Sequence, residues 1–106
     1  MKSNIKYLDT KIKQELKGSE EYLEKAIEHK DMGKTSEAQM FFNMSVQELG
    51  HAEGLMKMQE DNVKKWDDEH PDKTGDSNIY REMWKEYYAE TEEHYNKLKE
   101  KISKMK

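Results

Sequence analysis

Apolar residues recur every three or four positions along three long segments of this chain, and this spacing constrains its fold more than any other feature. At about 100° per residue, such positions form one stripe along an α-helix. In the first segment, residues 3–32, the stripe consists of Ile5, Leu8, Ile12, Leu16, Ser19, Leu23, Ala26 and Ile27. The period predicts one long helix over this segment.

The same period continues through residues 36–66 and 79–105 and predicts two further helices. The inward positions of the second helix are Ala38, Phe41, Ser45, Leu49, Ala52, Leu55, Met56, Val63 and Trp66. Those of the third helix are Tyr80, Met83, Trp84, Tyr87, Tyr88, Thr91, Tyr95, Leu98 and Ile102. We therefore expect an all-α protein whose elements are all long helices.

Local signals set the boundaries of these helices. Gly33 is suited to a left-handed C-cap, and Ser36 with Gln39 forms a capping-box pattern at the start of the second helix. The connection between them is about three residues long, which predicts an antiparallel hairpin. Residues 67–78 are rich in acidic residues and contain His70-Pro71 and Thr74-Gly75, which predicts a solvated loop before the third helix.

Composition and length are those of one domain, residues 1–106. The chain is 40% charged, has a net charge of −4 and contains no Cys, which excludes disulfides and thiolate metal sites. No excess of positive charge favours nucleic acid or an anionic membrane as a partner. No apolar run has signal-peptide or membrane-spanning length, and we expect a cytoplasmic protein.

Helices of this length leave much lateral surface uncovered in a chain of this size. Segments of 27 to 31 residues are about 40–46 Å long at the rise of an α-helix. A second copy can cover the exposed apolar faces, so we expect a homodimer or a larger homo-oligomer.

Glu48 and His51 are the residues best suited to chemistry. Their Glu-x-x-His spacing places a carboxylate and an imidazole one turn apart on the second helix, as in metal-binding helical bundles. Glu48 also interrupts the apolar stripe, about 40° from its centre. Because an unpaired buried carboxylate costs several kcal/mol, a metal, a Lys or Tyr partner, or a hydrated interface must compensate it.

The partner of Glu48 on the first helix is ambiguous from the residues alone. Glu15 is the acid nearest the inward stripe, about 60° from its centre. Counting equal numbers of residues from the loop along the two antiparallel helices instead places Glu20 or Glu21 opposite Glu48. By this count, Glu15 lies about 9 Å farther from the loop. Small residues in the second helix, Gly50 and Gly54 among them, predict close helix packing.

A wider pattern runs from Glu15 to His51: Glu15-Leu16-x-Gly18-x-x-x-Tyr22-x-x-x-Ala26, then Gly33, Ala38, Phe41 and Glu48-x-x-His51. This pattern resembles the first half of a rubrerythrin-type ferritin-like domain. It is also similar to small phage and prophage ferritin-like proteins through Met44-Ser45-x-x-Glu48-x-x-His51-x-x-x-Leu55. The resemblance implies that Glu15, Glu48 and His51 are metal ligands, which resolves the ambiguity in favour of Glu15.

The family pattern needs twice as many ligands as this chain supplies. A complete site uses two Glu and two Glu-x-x-His sets on four helices, and only one set is present here. The resemblance therefore implies a ferritin-like four-helix bundle completed by dimerisation, in a dimer or a higher even-numbered oligomer. Each chain would contribute Glu15, Glu48 and His51 to a shared di-metal site.

The function implied by the resemblance is the binding and oxidation of Fe(II) by oxygen or peroxide, as in a ferroxidase or a peroxide-reducing oxidoreductase. Oxygen and nitrogen ligands suit iron, with manganese or zinc as alternatives, and turnover would need an external electron donor. The competing hypothesis is a non-enzymatic helical oligomer of phage origin, virion-associated, in which the metal site is vestigial.

The remaining candidates have structural interpretations. On the third helix, Glu90 and His94 are four residues apart rather than three, and Glu93 is adjacent; His94 is expected to be a core histidine bonded to a Tyr, with a site role as the alternative. His29 is expected to be exposed, and His70 to lie in the loop. The aromatic residues of the third helix are interpreted as core or dimer interface: Trp84, Tyr87, Tyr88 and Tyr95.

Overall fold

The computed structural model describes the backbone of residues 2–69 and 76–105, and the side chains of residues 6–69, 82, 85, 86 and 88–105. Nearly all of this backbone is helical, in α1 (Lys2–Asp31), α2 (Thr35–Glu69) and α3 (Asp76–Met105). The predicted all-α class is confirmed. Within the described ranges, no helix has the length and apolar character needed to cross a membrane.

The connection between α1 and α2 is a Schellman turn centred on Gly33. Gly33 has a φ of 75°, a left-handed conformation that glycine adopts without strain from a side chain. The Lys34 N–H donates to the His29 carbonyl at 2.9 Å, and the Gly33 N–H donates to the Lys30 carbonyl at 3.0 Å. These bonds satisfy the last carbonyls of α1 and reverse the chain direction, as the sequence predicts.

Other boundaries differ from the predicted ones by a few residues. The Ala38 N–H donates to the Lys34 carbonyl, so α2 starts one residue before Ser36, and Gln39 bonds Asn43 rather than closing a capping box. Residues 67–69 continue α2 and residues 76–78 begin α3. Both ends of the predicted 67–78 loop are therefore helical. Asp76 lies at a helix N-terminus, where the helix dipole favours an acidic residue.

The helices α1 and α2 are joined at a tight crossing between two buried serines. The Ser19 hydroxyl donates to the Ser45 carbonyl and the Ser45 hydroxyl donates to the Ser19 carbonyl, each at 2.7 Å. Both side chains are fully buried. Small side chains allow this close approach, and the reciprocal bonds define which residues of the two helices lie side by side.

The apolar core lies between the two helices of the hairpin and α3. Its buried members are Ile12, Leu16, Leu23, Leu49, Ala52, Met56, Leu98 and Ile102. Tyr88 and Tyr95 pack against this core from α3, which agrees with their predicted structural role. Ile27 is 45% exposed, so it lies outside the core that its spacing predicts.

Among the described residues, polar side chains attach α3 to the hairpin at four points. The Thr91 hydroxyl donates to buried Asp9, and His94 Nε2 lies 2.8 Å from Glu20 Oε2. The hydroxyls of Tyr88 and Tyr95 donate to the carboxylates of Glu60 and Glu53, respectively. Burial, followed by the hydrogen bond to Glu53, raises the pKa of Tyr95 to about 12.

Two polar residues, Asp9 and Gln59, are buried on the apolar faces of α1 and α2. Asp9 pairs with Lys13 at 3.1 Å as well as with Thr91. Gln59 is 1% exposed, and its amide has no hydrogen-bond partner within the described residues. Several predicted inward side chains lie outside the described residues: Ile5, Tyr80, Met83, Trp84 and Tyr87.

Candidate metal centre

The serine crossing places one carboxylate of α1 beside two potential ligands of α2. Glu15 lies one turn before Ser19, whereas Glu48 lies nearly one turn after Ser45. Because the helices are antiparallel, these displacements run in the same spatial direction. Glu15 and Glu48 therefore lie at the same level, with His51 one further turn along α2.

The three side chains converge to within metal-binding distance of one another. His51 Nδ1 lies 3.5 Å from Glu15 Oε2 and 4.0 Å from Glu48 Oε1. One ligand atom from each residue lies within 4.8 Å of the other two, and this is the only such group among the described residues. In a metal site with metal–ligand bonds of about 2.0–2.2 Å, neighbouring ligand atoms lie only slightly closer together than these side-chain atoms do.

The carboxyl groups of Glu15 and Glu48 interact directly in the metal-free protein. The pKa of Glu48 is raised from its ordinary value, chiefly by hydrogen bonding to Glu15, then by burial and by the negative charge of Glu15; His51 opposes the rise. The two carboxylate side chains are 27% and 29% exposed, whereas His51 is 63% exposed. Negative charge is thus concentrated in a half-buried position beside an accessible imidazole.

One oxygen of this cluster lacks the hydrogen bond that burial demands. Glu15 Oε2 is buried and has no hydrogen-bond partner within the described residues, although such atoms are nearly always bonded in folded proteins. A cation between the three side chains would satisfy this oxygen and reduce the repulsion with Glu48. The donor set, two carboxylates and one imidazole, matches iron or manganese better than metals that prefer thiolates.

The structure does not bring the alternative acids of α1 to Glu48. Glu20 contacts His94 of α3 instead, and Glu21 is exposed. The prediction from counting residues back to the loop is wrong, because the Schellman turn and the serine crossing offset the two helices along their axes. Glu15, which the resemblance implies, is the acid that lies beside Glu48.

The other histidines occupy separate places. His94 bonds Glu20 rather than the expected Tyr. His29 is half-buried rather than exposed, because it bonds the Lys25 carbonyl and packs against Phe41 with ring centroids 4.9 Å apart. Glu90 and Glu93 are exposed on α3. His70 lies outside the described residues.

The glycines of α2 do not have the packing role that the sequence suggests. Gly50 and Gly54 are exposed, and no described atom outside their own helix turn lies within 4 Å of the position of an added Cβ. Gly18 of α1, by contrast, lies against the Glu48 carboxylate. Gly18 lies three residues after Glu15 on the same helix face, and this spacing is the sequence signal that places Gly18 near the cluster.

Comparisons with protein-family models, curated proteins and solved structures gave no match. The structure therefore defines the class on its own terms: an all-α chain that carries a Glu-Glu-His cluster on an antiparallel helical hairpin.

Replacing Glu48 with Gln should stabilise the metal-free protein at neutral pH. Because the pKa of Glu48 is raised from 4.5, the folded state binds its proton more tightly, and Glu48 lowers stability as the pH rises through the folded pKa. Gln keeps the shape of the side chain without its charge. The variant should exceed the parent in unfolding free energy at pH 7, and the gain should disappear below pH 4 in urea titrations.

The matched control is Glu90→Gln, at an exposed position of α3, which should show no such pH-dependent gain. An equal gain at both pH values, or none at pH 7, would contradict the repulsion between Glu15 and Glu48.

Proposed function

We propose that this chain supplies half of a di-metal carboxylate centre of ferritin-like type, where Fe(II) is bound and oxidised by oxygen or peroxide. The observation that carries the proposal is the convergence of Glu15, Glu48 and His51 on one face of the hairpin. Two carboxylates and one imidazole per hairpin are the ligands that each half of such a centre uses. The unsatisfied Glu15 oxygen supports a cation at this position.

The position of α3 leaves this face of the hairpin available. The residues of α1 that bond α3, Asp9 and Glu20, lie about 120–140° around the helix from Glu15. Glu53 and Glu60 of α2 are displaced by a similar angle from Glu48. A second hairpin can therefore approach the cluster without displacing α3.

Exposed methionines lie on the same side of α2 as His51. Met40, Met44 and Met58 project within about 40° of one another and of His51 around α2, and they are 63%, 38% and 50% exposed. An apolar row beside a half-complete ligand set is suited to a second copy of the chain. A two-fold axis here would bring together two sets of Glu15, Glu48 and His51 and complete a four-helix bundle.

In this proposal Fe(II) is the substrate and the side chains hold it. Two Fe(II) ions together give two electrons to one peroxide molecule, which takes up two protons and leaves as two waters. Four carboxylates in the dimer would balance the metal charge, and the imidazole favours iron or manganese over magnesium or calcium. An external donor would be needed to return electrons to the iron.

The second candidate is a helical building block that forms oligomers without metal chemistry. The exposed methionine row favours it equally, because such a row drives association with or without an ion. Assembly alone does not distinguish the two functions. Dependence of Fe(II) oxidation on the ligands does.

A metal site shared between two chains requires the protein to form oligomers. The parent chain of 12.7 kDa should behave as a dimer of about 25 kDa, or as a larger even-numbered oligomer, in size-exclusion chromatography with light scattering. Met58→Glu should dissociate it because a charge would be buried in the apolar row. Val46→Glu is the control, since Val46 is 37% exposed on a different face of α2.

A monomeric parent under iron-replete conditions would contradict the shared site. Equal dissociation by Met58→Glu and Val46→Glu would show that the methionine row is not the interface.

The proposed reaction requires each of the ligand side chains. Fe(II) oxidation in air, followed by absorbance, should be fast for the parent and should fall at least tenfold in Glu15→Ala and in His51→Ala, because each variant removes a ligand. Glu90→Ala and His29→Ala are the matched controls, and they should retain the parent rate. Circular dichroism should show that all variants keep their helicity.

If all five proteins oxidise iron at the rate of buffer alone, the ferroxidase proposal is wrong and the building-block function is favoured.

A further inference from the structure

Gly18 occupies an unusual position for a glycine, in the middle of the long helix α1. Glycine weakens a helix interior relative to alanine, so a contact that requires the absence of a side chain is a reason for its presence. Such a contact is found here. A Cβ added to Gly18 would lie 3.3 Å from Oε2, 3.7 Å from Cδ and 3.8 Å from Cγ of Glu48.

All three of the atoms nearest to this added Cβ belong to one potential metal ligand. A distance of 3.3 Å is shorter than an ordinary van der Waals separation, so Glu48 would have to move by a few tenths of an ångström to accommodate alanine. The glutamate is flexible, and its movement would leave the fold intact. It would, however, change the position of its carboxylate relative to Glu15 and His51.

We infer that Gly18 is a positioning residue, which leaves a gap on α1 for the Glu48 carboxylate and thereby sets its place in the metal cluster. The Gly18–Glu48 contact stands on geometry alone, whereas its effect on metal affinity rests on the proposed function. Gly50 is the internal comparison, since an added Cβ there meets no described atom within 4 Å.

A double-mutant cycle on the metal-free protein tests the contact. Gly50→Ala should raise the Tm by roughly 4–8 °C through helix propensity alone. Gly18→Ala should raise it less in the parent, where the added methyl group crowds Glu48, and by the full amount in a Glu48→Ala background, where the crowding is absent. Equal gains from Gly18→Ala in both backgrounds would overturn the contact.

Calorimetric titration with Mn(II) alone tests the positioning role. Gly18→Ala should bind Mn(II) about tenfold more weakly than the parent, in the range observed when a ligand's supporting residues are altered, while its Tm stays at or above the parent's. Gly50→Ala should bind Mn(II) as the parent does.

The outcomes separate the two proposals. Equal Mn(II) affinity of Gly18→Ala and the parent would overturn the positioning role and leave the proposed function standing. No Mn(II) binding by the parent would instead overturn the proposed metal site, and with it the metal role of Gly18, whatever the Tm cycle shows for the contact.

Discussion

The reciprocal hydrogen bonds between Ser19 and Ser45 determine the register of the hairpin, and the rest of the site depends on that register. Each hydroxyl donates to the backbone carbonyl of the facing serine at 2.7 Å. A shift of one turn along either helix would break both bonds and leave buried polar groups unsatisfied. The same shift, about 5.4 Å, would separate Glu15 from Glu48 and His51.

The two faces of the hairpin differ in how their acidic residues are satisfied. On the face that binds α3, Asp9, Glu20, Glu53 and Glu60 each accept a hydrogen bond from a Thr, His or Tyr side chain. On the other face, Glu15 and Glu48 lie beside each other and beside the imidazole of His51. The acids of the first face are bonded within one chain, whereas no Lys or Arg among the described residues pairs with Glu15 or Glu48.

The sequence predicts most of the fold because the apolar period is long and regular. The C-cap at Gly33 also follows from sequence, since its left-handed backbone is a local property. The position of Glu15 beside Glu48 along the hairpin does not follow from the sequence. The offset between α1 and α2 arises from the turn geometry and from a contact between residues 26 positions apart. The structure places Glu15 beside Glu48, which the helical wheel and the loop count left open.

The buried polar side chains mark a second limit of prediction from sequence. Gln59 is on the buried side of α2, and His94 bonds an acid of α1 rather than a tyrosine. Gln59 lies between Met56 and Val63 on the apolar stripe, so its burial follows from the spacing. The partner of a buried polar side chain depends instead on which residues of another helix lie nearby, and apolar spacing carries no information about that. The contact of Gly18 with Glu48 likewise joins residues 30 positions apart in the chain, although its position on the same helix face as Glu15 marks Gly18 in the sequence.

Binding of one metal by Glu15, Glu48 and His51 together is the property on which the proposed function depends. Anomalous diffraction at the iron edge, from crystals grown anaerobically with Fe(II), tests it most directly. We expect one anomalous peak per chain, in contact with all three side chains and close to its symmetry mate across a two-fold axis. Iron bound only at exposed acids elsewhere, or no peak between these side chains, would contradict it.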